Sequence, residues 1–303
     1  MLKRKLNKAG FASQVLLLLL IPCGSYLKSQ ESQFAKHQLA AIAHTESRRN
    51  ASDTGNRLTS LNANLSSSEH SAKMAKEAPK IVMNPKAKQF VAGYLKSNDE
   101  ALIKVKKRSP PVFKIIDGVF TKHHLPLELK YLAVIESDLK TSAISPVGAV
   151  GPWQLMPGTA RELGLKVSGK YDERKHYYKS TVAVAKYLKD LYAQFDDWLL
   201  VIAAYNGGPG TVYKAIKKTG SRNFWQLQYA LPAETRAHVK RYIGAHYYFE
   251  DRGSETTLTK NEAIAFRKAM EVFIASQLAN EIEKKQTEPA NEKQVVAADA
   301  SLL

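Results

Sequence analysis

Glu136 stands where a carboxylic acid can do chemistry. It ends the apolar run Tyr131-Leu132-Ala133-Val134-Ile135 and is followed at once by Ser137 and Asp138. A short run that is apolar on every side reads as a buried helix, here Leu127 to Ile135. Burial and the partial negative charge at a helix C-terminus both disfavour a carboxylate, so the acid keeps its proton. Such an acid can protonate a poor leaving group such as an alkoxide. The helix alone supports two readings equally: a general acid, or a paired structural carboxylate. Asp138 is the tempting second carboxylate, but an Asp just past a helix end reads better as a solvated or turn-forming residue.

The segment after Glu136 adds groups suited to a polar ligand. Ser145-Pro146-Val147-Gly148-Ala149-Val150-Gly151-Pro152-Trp153-Gln154-Leu155-Met156-Pro157 reads as a loop. Its glycines let a ligand approach the backbone, and its prolines restrict the loop's shape. Trp153 is equally a stacking platform and a core residue. Gln154 offers both a donor and an acceptor, which suits hydroxyl and acetamido groups. A second all-apolar run, Trp198 to Tyr205, also ends abruptly, in Asn206-Gly207. Two buried helices that each deliver polar groups at one end form a rigid frame for a site.

The elements that position these groups are helical almost throughout, with no train of alternating strands. Pro126, Pro209 and Pro232 mark first turns of helices, and Gly164, Gly207 and Gly220 are expected just past helix ends. Val184, Leu188, Leu191 and Phe195 form one stripe, so their helix packs a single face inward. Leu258 to Lys285 reads as one amphipathic helix.

Of the 303 residues, 45 are Lys or Arg and 28 Asp or Glu, a formal net charge of +17. That excess points to a polyanionic partner: nucleic acid, an anionic membrane or an anionic wall polymer. Cys23 is the single cysteine, so the body has no disulfide, Cys-based metal site or thiol nucleophile. His123, His124, His176, His238 and His246 are scattered, without metal-ligand spacing, and read as surface or core residues. Residues 1–29 read as an export signal or membrane anchor: Lys3, Arg4, Lys5 and Lys8 precede the apolar stretch Val15 to Ile21. Leu20-Ile21-Pro22-Cys23 partly matches a lipidation box, which Pro22 weakens. Residues 30–84 read as a flexible polar linker, in which Leu58, Leu61 and Leu65 make one weak helical face. The tail from about Gln286 is equally polar and reads as disordered.

Three segments then carry a resemblance. Glu136-Ser137, the Ser145 to Pro157 segment, and Ala204-Tyr205-Asn206-Gly207-Gly208, in that order, resemble the signature of the family 1 lytic transglycosylases. Thr159 to Leu165, Asp172-Glu173-Arg174 and Leu231-Pro232-Ala233-Glu234-Thr235 extend the resemblance over roughly Lys86 to Asp251. It implies a mainly α, goose-type lysozyme-like domain at residues 85–252 with a glycan-binding groove, then a C-terminal helix and tail at 253–303. It further implies that Glu136 is the sole catalytic acid/base and that Ser145 orients its carboxyl. Gln154 and Met156 would line the sugar site, while Tyr205 and Asn206 close over the Glu. The implied substrate is peptidoglycan, cut between N-acetylmuramic acid and N-acetylglucosamine to leave a 1,6-anhydro end. No metal or cofactor, no nucleic acid and a monomeric chain in the periplasm or envelope, with membrane attachment through the N-terminus, complete the expectation. A hydrolytic muramidase and a non-catalytic wall-binding protein are the alternatives on the same scaffold. Two departures stand out: Pro152 and Leu155 replace the family's usual Leu and Phe around Trp153-Gln154, and His176-Tyr177 replaces a usual Asp-Pro.

Overall fold

The computed structural model describes residues 77–287, with side chains through 280. The leader with Cys23, most of the linker with Leu58, Leu61 and Leu65, and the tail from 288 lie outside the described residues. The described part divides into a compact unit, Val82–Lys260, and a second unit that takes in residues 77–81 and those from Asn261 onward.

The compact unit is mainly α, as the periodicity predicts. The helices are α1 (Pro85–Lys122), α2 (Tyr131–Ser137), α3 (Pro157–Glu162), α4 (Tyr177–Phe195), α5 (Trp198–Gly207), α6 (Pro209–Thr219), α7 (Phe224–Leu227) and α8 (Ala233–Glu250). Only isolated bridges, such as Ile144 with Val150 and Val150 with Leu155, stand in for strands among the described residues. The predicted helix Leu127 to Ile135 is built in two pieces: a 3-10 turn at Leu127–Lys130, then α2.

Local signals explain most helix ends. Asn84 caps α1 by accepting from the Lys86 N–H at 3.0 Å. Pro110 and Pro111 lie inside α1. Pro110 removes the donor that Lys106 would otherwise receive, and the Ser109 hydroxyl takes that carbonyl at 3.1 Å. Asp197 caps α5 by accepting from the Leu200 N–H at 3.1 Å, while its other oxygen accepts from the Lys260 N–H at 2.7 Å. Gly164 (φ 84°) and Gly220 (φ 67°) are the left-handed residues expected after α3 and α6. Gly207 is not: it is the last residue of α5, and Gly208 (φ 78°) makes the turn.

The core sits where α1, α4, α5 and α8 meet. α8 packs on α1, α5 and α2, and α4 packs on α1 and α5. The stripe Val184, Leu188, Leu191 and Phe195 is buried, and Leu199 through Ala204 are fully enclosed. This arrangement brings the C-termini of α2 and α5 toward the first turns of α8.

The second unit contributes one long helix, α9 (Lys260–Thr287). A helix was expected there, but not this kind. Its apolar and polar residues are not segregated, and Ile264, Val272, Ile274 and Leu278 all stand exposed.

Candidate active site

Glu136 lies in the last turn of α2, with its side chain 15% exposed. Its carboxyl Oε1 is 2.8 Å from His238 Nε2, and the His238 side chain is only 2% exposed. His238 comes from the second turn of α8, one turn past Thr235. In the sequence it is one of several scattered histidines, and no motif marks it. The usable signal was its distance of three residues from Thr235, which puts both on one face of α8.

The chain then reverses sharply. Asp138 (φ 53°) and Leu139 (φ 63°) are consecutive left-handed residues. The carbonyl of Asp138 accepts from Arg108 at 2.6 Å, and its carboxylate pairs with Lys140 at 3.0 Å. Asp138 is therefore a turn residue with its charge engaged. A polar cavity opens on that side, lined by Lys96, Asp99, Lys104, Arg108, Asp138 and Lys140. Neither Glu136 nor His238 lines it, so it belongs to the turn and not to the acid.

The loop from Ala143 to Pro157 folds back beside Glu136 and is tied down at both edges. Ser137 Oγ donates to the Pro152 carbonyl at 2.9 Å, joining the end of α2 to the loop. Pro152 lacks an N–H, but its carbonyl is what the scaffold uses. Arg174 holds the other edge: one guanidinium nitrogen donates to the carbonyls of Gly148 (3.0 Å) and Leu155 (2.9 Å). The rest of the group clamps Asp172, at 2.9 and 2.7 Å. Those bonds from Arg174, first among the causes, hold the Asp172 carboxyl below its ordinary value. Gly151 is required at this contact. Its φ is +85°, and a Cβ there would lie 2.1 Å from the Arg174 carbonyl oxygen. Nothing local in Asp172-Glu173-Arg174 announces this function, since the carbonyls it binds lie far back in the chain.

The predicted site residues fall into two groups. Trp153 is fully buried against Phe120 and donates its indole N–H to Thr181 Oγ1 at 3.0 Å, so it is a core residue, not a sugar platform. Ser145 Oγ accepts from the Ala149 N–H at 2.9 Å and shapes the loop, with no hydrogen bond to Glu136. Gln154, itself at φ 48°, donates its amide to the carbonyls of Gly151 (2.9 Å) and Ala143 (3.3 Å). Its acceptor oxygen is what remains for a ligand. Met156 is 42% exposed at the start of α3. Tyr205 donates its hydroxyl to the Trp153 carbonyl at 2.6 Å, which ties α5 to the loop. Burial first, then the charges of Glu136 and Tyr187, push its phenol well above the ordinary range, so it stays a donor. Asn206 is half-buried at the end of α5, and its amide makes no hydrogen bond among the described residues.

Glu136, Tyr205 and His238 thus converge from three helices, with the loop as a fourth wall. Among the described residues there is no group of three or more His, Cys, Asp or Glu able to hold a metal. No described helix is long and apolar enough to cross a membrane.

Residues 117–228 match the family model described as Transglycosylase SLT domain. Over 168 residues, 54% of the chain, the sequence is 38% identical to the membrane-bound lytic murein transglycosylase D of Escherichia coli (strain K12). That match covers 36% of the relative, so the chain spans about a third of its length. Among solved structures, the 70 kDa soluble lytic transglycosylase of Escherichia coli is 24% identical, at a TM-score of 0.43, over 56% of this chain and 31% of that one. An inactive mutant of the lytic transglycosylase Slt of Pseudomonas aeruginosa is 26% identical, at a TM-score of 0.40, over 46% of this chain and 24% of that one.

Proposed function

We propose that this chain, whose residues 117–228 match the Transglycosylase SLT domain model, is a peptidoglycan lytic transglycosylase with Glu136 as its single acid/base. One observation carries the reading. Glu136 is a largely enclosed carboxyl at the end of a buried helix, and its one hydrogen-bond partner among the described residues is a histidine, not a second carboxylate. Glycosidases that hydrolyse through two carboxyl groups place a second acid across the bond. Asp138, the nearest in sequence, is turned into an ion pair with Lys140.

In this mechanism Glu136 first gives its proton to the oxygen linking N-acetylmuramic acid to N-acetylglucosamine. The C1–O bond breaks, and the glucosamine leaves as an alcohol. The 2-acetamido group of the muramic acid supports the developing cation. Glu136, now a carboxylate, takes the proton from the C6 hydroxyl of the same sugar as that oxygen bonds to C1. The carboxyl is restored, no water is consumed, and the product ends in a 1,6-anhydro ring. An intramolecular nucleophile has a large entropic advantage. The exposed Met156, the free amide of Asn206 and the acceptor oxygen of Gln154 would line the sugar site, while Tyr205 and Ser145 hold the walls. One carboxyl serves both steps, so the chemistry calls for no cofactor.

The chain acts as a monomer in the cell envelope, exported and held there through residues 1–29. The excess of basic residues attracts it to the carboxylates of wall stem peptides.

The test is mass spectrometry of muropeptides released from purified peptidoglycan, with Glu136→Gln alongside. Products one water lighter than reducing-end fragments, lost in the variant, are the expected result. Reducing-end products would make the protein a muramidase. Wall binding without any product would make it a binding protein.

A further inference from the structure

The His238–Glu136 contact divides the work between the two carboxyl oxygens. We propose that His238 is neutral, carries its proton on Nε2 and donates it to Glu136 Oε1, so that Oε2 is the oxygen that exchanges protons with substrate. This rests on the acid/base reading of Glu136.

The geometry leaves little choice of tautomer. Nε2 lies 2.8 Å from Oε1. The other ring nitrogen, Nδ1, is buried and has no hydrogen-bond partner among the described residues. Three protonation patterns are available. An imidazolium would bury a charged Nδ1–H with no acceptor, in a side chain 2% exposed. Leaving a buried donor unpaired costs its full desolvation, and more for a charged one. A neutral ring protonated on Nδ1 also buries an orphan N–H. It would further require Oε1 to donate into the ring, aiming the acidic proton away from any substrate. The third pattern, Nε2–H with a bare Nδ1, leaves only a lone pair unsatisfied, and it satisfies Oε1.

That pattern suits an acid that must later act as a base. While Glu136 is protonated, the histidine occupies Oε1 as a neutral hydrogen bond, and the proton sits on Oε2. When Oε2 gives up that proton, the same hydrogen bond becomes charge-assisted and shorter, roughly twice as strong. The interaction therefore strengthens as negative charge develops, which is the condition for accelerating the step. When Oε2 recovers a proton, the contact relaxes. The ring itself gains and loses nothing, so His238 is a positioning residue. Its own place is secured by neighbours on α8: Val239 and Tyr242 are fully buried, and Thr235 packs against Gly207 one turn earlier.

The experiment has two parts. First, 15N NMR of protein labelled at histidine reads the tautomer without substrate. The expected spectrum has a bare Nδ1 and a protonated Nε2 at His238, with the Nε2 signal displaced in Glu136→Gln. A protonated Nδ1 would overturn the proposal, whether or not the protein cuts peptidoglycan. Second, the kinetics of anhydro-muropeptide release are compared for wild type, His238→Ala and His238→Gln. Loss of one preorganised donor should lower kcat by about 10²-fold in His238→Ala, with KM within about twofold. The Gln amide reaches the same point as Nε2 and should recover about tenfold or more of that loss. Equal losses in both variants, or a loss confined to KM, would mean that the ring only fills space. Absence of anhydro product from wild type would instead defeat the proposed function and leave the tautomer to be judged by the NMR result.

Discussion

Gly207 packs against Thr235 so closely that a Cβ on the glycine would lie 2.7 Å from Thr235 Oγ1 and 3.2 Å from its methyl. The contact sets the distance between the end of α5 and the first turn of α8, the turn that leads to His238. Thr235 is itself 2% exposed, which leaves its side chain little room to turn. Gly207→Ala should therefore destabilise the protein by about 1–3 kcal/mol, despite alanine's higher helix propensity. With Thr235→Ala already present, the nearest remaining atom is the Cβ at 3.5 Å, an ordinary contact. In that background Gly207→Ala should become neutral or stabilising by up to about 1 kcal/mol. Urea unfolding of the four proteins of this cycle decides it, and an unchanged cost in both backgrounds would refute the steric account.

Arg174 is the clamp of the 143–157 loop. Lysine keeps the charge but cannot reach Asp172 and two carbonyls together. Arg174→Lys should lower stability by about 1–3 kcal/mol, the cost of leaving buried carbonyls without a donor while the charge is kept. It should also open the 143–157 loop to protease. Limited proteolysis with mapping of the cut site, beside chemical denaturation, makes the check. A loop as resistant as the native one would show that Arg174 is dispensable there.

Trp153 separates a core role from a sugar-binding one. Trp153→Phe removes the indole N–H from Thr181 and leaves a space beside Phe120. Stability should fall by about 1–3 kcal/mol, while KM for glycan strands changes by less than about twofold. A large rise in KM at unchanged stability would return Trp153 to the substrate.

His246 makes stability sensitive to acid. It is buried on α8, with Nε2 2.8 Å from Ser254 Oγ. Burial above all holds its pKa at about 3, against an ordinary 6.5. Between those values the unfolded chain binds a proton that the folded chain excludes. Its contribution is thus intact above the unfolded value and is lost as pH falls through the window, at most about 1.4 kcal/mol per unit. Urea midpoints from about pH 7 to about pH 4 should fall more steeply for wild type than for His246→Asn. Parallel slopes would place the acid sensitivity elsewhere.

Much of this protein is legible along the chain. The apolar runs before Glu136 and Asn206 identify two buried helices and the polar groups at their ends, because a helix without a polar face has nowhere to lie but inside. Prolines and glycines mark most helix boundaries through their own backbone preferences, as Gly164 and Gly220 illustrate. Those are local consequences of residue type. Other features depend on how distant elements are rotated and packed. Trp153 has the same composition cues whether it faces sugar or core, and only the placement of α1 and α4 around it decides. Gly207 looked like a helix cap and proved to be a spacer, since nothing nearby in sequence announces Thr235. His238 and Glu136 stand 102 residues apart, and Arg174 reaches back 26 residues to the carbonyl of Gly148. Sequence determines which groups exist and on which helix face they lie. The packing of α8 across α2 and α5 decides which of them meet, because a hydrogen bond requires a separation of about 3 Å that no local pattern encodes.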